Sequence, residues 1–204
     1  MTSIKYVEPP PLAKDEPRPV LPWLIVVGVG GRAGARQLAA FVGALPADLP
    51  AALLVSLHGQ RPEHPDLSQA LRRVANLAVV TAFEGEALHA GVCYVADARH
   101  HLCVAGVTAH LICDPAPRGR TIDLLFQAAA AANGMRVAGV LLPGLTRDGA
   151  EGLASISQAG GAAFALRAGG RAWGPGAPAL HPAIRTLDTP SALALAVEAA
   201  VRGG

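Results

Sequence analysis

The stretch LIVVGVGGRAG, residues 24–34, decides the fold of this chain. Its first residues are aliphatic and predict a short buried strand over Leu24–Val27. A glycine-rich loop, Gly28–Gly34, follows at once, and Ala35–Ala44 then carries apolar side chains at helical spacing. A strand, a glycine loop and a helix in this order are typical of folds in which parallel strands alternate with helices.

The same alternation continues along the chain. It predicts further strands over Ala51–Leu57, Arg136–Leu142 and Ala162–Leu166, and helices over Leu67–Val74, Thr121–Asn133, Asp148–Gln158 and Ser191–Val201. Four short runs separated by Gly, Asp and Pro predict a small group of hairpin-like strands, over Ala78–Thr81, Val92–Val95, His101–Val104 and His110–Cys113. We therefore expect a three-layer α/β/α domain of the Rossmann-like type, with a mostly parallel, doubly wound sheet and a small β-hairpin region.

Length and composition indicate one domain behind a short tail. Residues 1–22 are polar and rich in Pro, which predicts a flexible tail and no signal peptide, and residues 23–204 suffice for one domain with a full core. Hydrophobic residues make up 51% of the chain. No unbroken apolar run reaches about 18 residues, so we expect no membrane insertion and a cytoplasmic location.

Charge, cysteine and histidine usage exclude several classes of function. The net charge is only +2, and no basic stripe with interleaved aromatic residues is present, so nucleic acid is not an expected partner. The three Cys form no CxxC pair, which predicts reduced thiols rather than disulfides or a zinc knuckle. The seven His show no spacing typical of metal ligands, so we expect no metal and no cofactor.

A His and an Asp follow two of the predicted strands. His58 comes directly after the strand ending at Leu57, and Asp148 lies shortly after the strand ending at Leu142. The carboxyl ends of parallel strands share one edge of a sheet, where such folds place their active sites. A His that takes a proton and an Asp that orients it are two of the three groups of a Ser-His-Asp hydrolase. Each also has a structural alternative: a packed His, and an Asp that caps its own helix.

The third group of such a site is missing. The loop Gly28–Gly34 contains no Ser, Thr or Cys. Its sequence also fits the G-x-G-x-x-A pattern of a dinucleotide-binding turn. The acidic residue that should end the next strand is absent there, because the first acid is Glu63 in a Pro-rich segment. Binding of a nucleotide or another small ligand at this loop is retained as an alternative.

Four segments in order carry a family resemblance. They are VSLH at 55–58, EGEALHAGVCYVA at 84–96, TIDLLF at 121–126 and GVLLPGLTRDGAEGL at 139–153. With these segments the chain resembles the catalytic domain of the chemotaxis protein-glutamate methylesterases (CheB-type) over about residues 23–200. Residues 1–22 are too few for the receiver domain that usually precedes it, so we expect a stand-alone domain.

The resemblance implies a Ser-His-Asp triad that hydrolyses glutamyl methyl esters on chemoreceptors. It identifies His58 as the general base and Asp148 as the residue that orients it. The backbone N–H of Leu145 would be an oxyanion donor. His101 and Thr121 match positions of the family's motifs and are the further substrate candidates.

The departures from the family fall on the nucleophile. Its position corresponds to Gly30 when counted from the strand and to Gly31 when counted from the helix, and neither residue has a functional side chain. Gly31 and Arg32 remain candidates for substrate or oxyanion contacts, and Arg32 adds positive charge that suits an acidic group. Ser56 lies two residues before His58 and would face the same side of the strand, which makes it a candidate for a displaced nucleophile.

These observations predict a methylesterase homologue that is weakened or inactive as an enzyme. It would then act as a binding module for a chemoreceptor-like or other signalling protein. The alternative is an active esterase that uses a displaced nucleophile, or water activated by His58 and Asp148.

Overall fold

The computed structural model describes residues 21–31, 34–59, 66–97, 99–113, 119–132, 136–144, 148–167 and 181–203. Its strands are β1 (Trp23–Val29), β2 (Ala51–Leu57), β3 (Ala78–Thr81), β4 (Val92–Val95), β5 (His100–Ala105), β6 (Thr108–Cys113), β7 (Arg136–Leu142), β8 (Ala162–Leu166) and β9 (Arg185–Leu187). Its helices are α1 (Ala35–Ala44), α2 (Leu67–Arg72), α3 (Thr121–Ala130), α4 (Ala150–Gln158) and α5 (Pro190–Gly203). Residues 1–20 lie outside this description, so the division into a tail over 1–22 and a domain over 23–204 stays a prediction.

In the described part of the chain, seven strands form one sheet in the order β3-β4-β2-β1-β7-β8-β9. Every neighbouring pair is parallel. Strand β1 is central, with β2 on one side and β7 on the other. The predicted doubly wound, parallel sheet is therefore confirmed.

The sheet has a hydrophobic core on each face. Along β1, Ile25 and Val27 belong to one core, which α1, α2 and α5 complete with residues such as Phe41. The alternate residues Leu24 and Val26 belong to the other core, under α3, α4 and the β5–β6 pair. Because successive side chains of a strand point to opposite faces, an uninterrupted apolar run fits a strand that is covered on both sides. These are the three layers that the sequence predicts.

The middle of the chain differs from the prediction of a group of hairpin-like strands. Of these four strands, β5 and β6 form an antiparallel pair, whereas β3 and β4 are parallel strands of the main sheet. A loop rather than a helix connects β3 to β4, and it is held by backbone hydrogen bonds to the hairpin, such as Gly85 N–H to Ala109 O (3.0 Å) and Ala109 N–H to Glu86 O (2.8 Å). A short apolar run bounded by turn residues does not show which strand it pairs with. The local sequence pattern therefore could not distinguish a hairpin from two parallel strands of the main sheet.

The other differences concern ends of elements and one short strand. Helix α2 ends at Arg72 and α3 at Ala130, earlier than predicted, and the predicted stop of α3 at Asn133 lies outside the described residues. Strand β9 was not predicted, because its three residues, Arg-Thr-Leu, lack an apolar pattern. Among the described residues, no helix is long and apolar enough to span a membrane.

The order of the strands determines where a site can form. The chain moves from β1 to β2 in one direction, and β7 lies on the opposite side of β1. The point at which the strand order reverses therefore lies between β1 and β7, and in open α/β folds ligands bind at the carboxyl edge beside such a point.

Candidate functional site

The residues predicted from the sequence meet at this edge of the sheet. His58 follows β2, Gly30 and Gly31 follow β1, and Asp148 follows β7. The N-terminus of helix α3 lies at the same edge, where backbone N–H groups of its first turn donate to the Asp148 carboxylate. We call His58, Asp148 and the start of α3 the acid–base half of the site, and residues 28–34 the nucleophile loop.

His58 and Asp148 form a hydrogen-bonded pair. The distance from His58 Nδ1 to Asp148 Oδ2 is 2.9 Å, although the two residues are 90 positions apart in the sequence. The Asp148 side chain is completely buried, whereas that of His58 is 28% exposed. One side of the imidazole is thus fixed inside the protein and the ring still reaches solvent.

The Asp148 carboxylate accepts several further hydrogen bonds. Among the described residues, the backbone N–H groups of Ile122 (3.0 Å) and Asp123 (2.9 Å) and the hydroxyl of Thr121 (3.3 Å) donate to it. Donors directed at both oxygens suit an ionised carboxylate, which can only accept. His58 Nδ1 must then carry the proton that it shares with Asp148. The other ring nitrogen, Nε2, keeps its lone pair and can take a proton from a substrate or a water molecule.

Asp148 does not cap its own helix. The N-cap of α4 is Gly149, which has no side chain, and the carboxylate of Asp148 instead occupies the N-terminus of α3. Near this end the partial positive charge of the helix favours an anion. The alternative that Asp148 caps its own helix, α4, is therefore wrong, because Asp148 caps α3.

A second carboxylate, that of Asp123 in α3, caps the N-terminus of α4. Its Oδ1 accepts the backbone N–H groups of Gly149 (3.0 Å) and Gly152 (2.8 Å) at the start of α4. Burial raises the pKa of Asp123, and the nearby charge of Asp148 adds to the effect, while the two backbone hydrogen bonds and Arg120 oppose it. Arg120 lies 3.7 Å from Asp123 Oδ2 and also pairs with Glu151.

The nucleophile loop contributes backbone where a nucleophile would be expected. Gly30 packs on Gly144 after β7, so a Cβ added to Gly30 would lie 2.4 Å from Gly144 Cα. Gly31 is different: among the described residues the nearest atom to a Cβ there is His58 O at 3.8 Å, but its φ of +81° disfavours L side chains. Of the two positions that the sequence left open for the nucleophile, Gly31 is the one at which the described residues leave room for a side chain.

The backbone of this loop is hydrogen-bonded to its surroundings. The N–H groups of Gly31 (2.8 Å) and His58 (3.0 Å) both donate to Val29 O, and the N–H of Gly34 donates to Gly31 O (3.0 Å). In this conformation the N–H of Gly31, a candidate oxyanion donor, points to Val29 instead. The loop and His58 are thereby joined through one carbonyl group.

The other candidates have different positions. Thr121 is buried and donates to Asp148, so its hydroxyl supports the acid–base half. His101 is half-buried on β5, and its neighbour Leu102, which points to the opposite face of the strand, belongs to the core. Ser56 is buried on β2 beside Gly28 and is thus part of the sheet rather than of a loop. Arg32 and Leu145 lie outside the described residues.

Two features of the site were not predicted from the sequence. One is the cap that Asp123 gives to α4, and the other is the contact between Gly30 and Gly144. The segment TIDLLF indicates an acid in the first turn of a helix, which is the only sequence signal for the first feature. In the described part of the chain, no three His, Cys, Asp or Glu residues are grouped so that they could hold a metal ion.

A parallel α/β sheet with a buried Asp bonded to a half-exposed His at its carboxyl edge is an arrangement found in hydrolases of the Ser-His-Asp type. Comparison with known proteins gives the particular family. Residues 25–171 match the CheB methylesterase family, and the chain belongs to that family.

Several curated relatives are similar to this chain. A protein-glutamate methylesterase/protein-glutamine glutaminase of Anaeromyxobacter dehalogenans is 32% identical over 158 residues, which is 72% of this chain and 45% of that protein. A protein of the same name from Methanosarcina barkeri is 30% identical over 147 residues, 67% of this chain and 40% of that protein. The chain thus spans less than half the length of the curated relatives that it matches.

The fold is similar to that of a solved structure. The crystal structure of the Thermotoga maritima CheB methylesterase catalytic domain matches with a TM-score of 0.68. The match covers 86% of this chain and 96% of that domain, at 19% sequence identity. At this identity the likeness shows the fold.

Proposed function

We propose that this protein is a protein-glutamate methylesterase homologue whose esterase activity is weak or absent. It acts in the cytoplasm as a binding module for a chemoreceptor-like or other signalling protein, through the cleft where relatives would hold substrate. One observation carries this proposal: the acid–base half is assembled and bonded, while the nucleophile loop has no side chain that could attack an ester.

The chemistry of ester hydrolysis explains why this difference matters. In a triad the His removes the proton of a hydroxyl group, and the resulting oxygen attacks the ester carbonyl. His58, oriented by Asp148, is suited to the first step. Without a hydroxyl group there is nothing for it to activate, and loss of a triad nucleophile typically lowers kcat by about 10⁶-fold.

The binding role has support from the parts of the edge that remain. The N-terminus of helix α3 is capped by the Asp148 carboxylate, and the imidazole of His58 is partly accessible. Arg32 and Leu145, outside the described residues, are our candidates for contacts with an acidic group and for an oxyanion-type N–H. His101, on the neighbouring hairpin, is the remaining candidate for a partner contact.

The second candidate function is hydrolysis with water as the nucleophile. The hydrogen bond between His58 Nδ1 and Asp148 favours it, because the same pair that would activate a hydroxyl group can activate a water molecule. Such an enzyme would depend on His58 and would require no side chain in the nucleophile loop.

The experiment is a measurement of methanol release from a carboxymethylated chemoreceptor fragment. The unmodified protein, His58→Ala and Gly31→Ser are compared. We expect little or no release from the unmodified protein and a gain in Gly31→Ser, because that position has room for a side chain near His58. Release by the unmodified protein that disappears in His58→Ala would instead establish a working hydrolase that depends on His58, with water or the displaced candidate Ser56 as its nucleophile.

A matched control and a binding measurement complete the test. Gly30→Ser introduces the same hydroxyl one residue earlier, where backbone fills the space, and should give no folded, active protein. Binding of the same fragment is measured by calorimetry with the unmodified protein. Failure to bind methylated and unmethylated fragments alike would contradict the binding role.

A further inference from the structure

Helices α3 and α4 begin side by side, and neither is capped by its own N-cap residue. The N-cap residues are Arg120 for α3 and Gly149 for α4, and neither makes a side-chain capping bond. The first backbone N–H groups of a helix have no partner within the helix. When such groups are buried, their partners must come from elsewhere in the fold.

Each helix receives its cap from the neighbouring chain segment. Asp148, just before α4, accepts N–H groups of α3, and Asp123, in the first turn of α3, accepts N–H groups of α4. We call this arrangement the reciprocal cap. Both carboxylates are buried, with 4% of each residue exposed.

Glycines allow this close approach of the two helices. A Cβ at Gly152 would lie 2.6 Å from Phe126 Cβ and 3.0 Å from Asp123 Cα. Gly149 has φ of +100°, and a Cβ there would lie 2.6 Å from Ile122 Cγ2. The start of α4 therefore lies directly against the start of α3, within reach of the short Asp123 side chain.

The bond to Gly149 has a particular consequence for Asp148. The N–H of Gly149 belongs to the peptide unit that follows Asp148, so Asp123 holds the backbone next to the residue that orients His58. We infer that Asp123 is a positioning residue: it fixes Asp148 through the α4 backbone and thereby fixes the tautomer of His58. This role rests on the proposed acid–base function of the His58–Asp148 pair.

The geometry separates the hydrogen bonds of Asp123 from its charge. Both backbone N–H groups donate to the same atom, Oδ1, while Oδ2 faces Arg120. An Asn at this position can keep a carbonyl oxygen at the place of Oδ1 and so retain both bonds without the charge. An Ala retains neither.

The test uses the tautomer of His58 in the full chain, read from the ¹⁵N shifts of both ring nitrogens by NMR and assigned with His58→Ala. In the unmodified protein we expect one tautomer, with the proton on Nδ1. Asp123→Ala should lose this signature and show a mixture of tautomers, whereas Asp123→Asn should keep it. If Asp123→Ala does not fold, Asp123→Ser is used, and it should also lose the single tautomer because its hydroxyl is too short to reach both amides.

A cap on a helix of the opposite core provides the matched control. Asp66 caps α2 through the N–H of Ser68 (2.9 Å), and α2 packs on the face of the sheet opposite to α3 and α4. Asp66→Ala should lower the Tm and leave the His58 spectrum unchanged. The positioning role is overturned if Asp123→Ala behaves like Asp66→Ala, or if Asp123→Asn loses the signature as Asp123→Ala does.

The spectrum and the methanol assay can fail separately. A loss of the tautomer in Asp123→Ala supports the positioning role even if the unmodified protein releases methanol through another group. An unchanged tautomer overturns the positioning role even if Gly31→Ser gains activity.

Discussion

The acid–base half and the nucleophile loop lie at the same edge of one sheet, but they are held in place in different ways. The acid–base half consists of side chains joined by hydrogen bonds, centred on the buried Asp148 carboxylate. In the nucleophile loop, glycines pack against the backbone that follows β7, as in the contact between Gly30 and Gly144. Removing atoms should damage the first region, whereas adding atoms should damage the second.

The largest effect is expected from Gly144→Ala. A Cβ at this position would lie 1.9 Å from the carbonyl oxygen of Gly30, and only backbone movement can relieve the overlap. We expect a loss of about 4 kcal/mol in the free energy of unfolding, measured with urea. Gly59→Ala is the control, at a glycine with φ of +70° where the described residues place no atom within 4 Å of an added Cβ. Equal losses in the two variants would show that the Gly30 contact is not tight.

Asp148→Ala should have the next largest effect, through the opposite mechanism. It leaves the buried N–H groups of Ile122 and Asp123 without their acceptor. We expect a loss of about 2–3 kcal/mol in the free energy of unfolding. Asp148→Asn keeps an acceptor oxygen and should lose less. A loss as small as that of an exposed substitution would mean that solvent replaces the carboxylate at the start of α3.

Gly31→Ala measures backbone strain in the nucleophile loop without a clash. With φ of +81° and no atom of the described residues closer than 3.8 Å to the added Cβ, the change should cost the conformational preference of an L residue. We expect about 1–2 kcal/mol, similar to Gly59→Ala. A much larger loss, seen by thermal unfolding of both variants, would show that position 31 cannot accommodate a side chain.

The smallest effect concerns the pH dependence of stability in the acid–base half. Burial raises the pKa of Asp123, so the folded protein takes up a proton between the unfolded and folded pKa values. Stability therefore falls as pH rises through that interval. Asp123→Asn does not ionise, so its stability relative to the unmodified protein should increase as pH rises above the ordinary pKa of an Asp, about 4. A parallel course of the two stability curves would contradict the raised pKa.

The strands could be predicted from the sequence because burial on both faces leaves continuous apolar runs. The bounds of β2, β7 and β8 agree with the prediction. The pairing of β3 with β4 was missed, because it depends on a loop that bonds to a hairpin further along the chain. Strand β9 was missed because an edge strand of three residues has little apolar surface to reveal it.

For the site, the sequence shows which residues follow the end of a strand, but it does not show which contacts form when helices pack. His58 and Asp148 were predicted together because each follows a strand, and the structure brings them into contact. The bonds of Asp123 to α4 depend on how two helices pack, which no local pattern encodes. Likewise, a glycine in a sequence indicates freedom of the backbone and does not identify the residue packed against it.

The bonds of Asp148 also change how its presence should be interpreted. This carboxylate stabilises α3 whether or not the site hydrolyses esters, so an Asp here is useful to an inactive protein as well. Among the described residues the ring of His58 bonds to Asp148, and the backbone bond of His58 to Val29 does not depend on the side chain. The side chain at position 58 is thus the more informative of the two about activity.

The reciprocal cap has a consequence for how the protein folds. Neither α3 nor α4 can satisfy its first amides until the other is in place, so the two helix starts should form in a single cooperative step. The amide hydrogens of Ile122, Asp123, Gly149 and Gly152 should then exchange with solvent through one common opening event. Two segments that are distant along the chain would behave in exchange experiments as one unit.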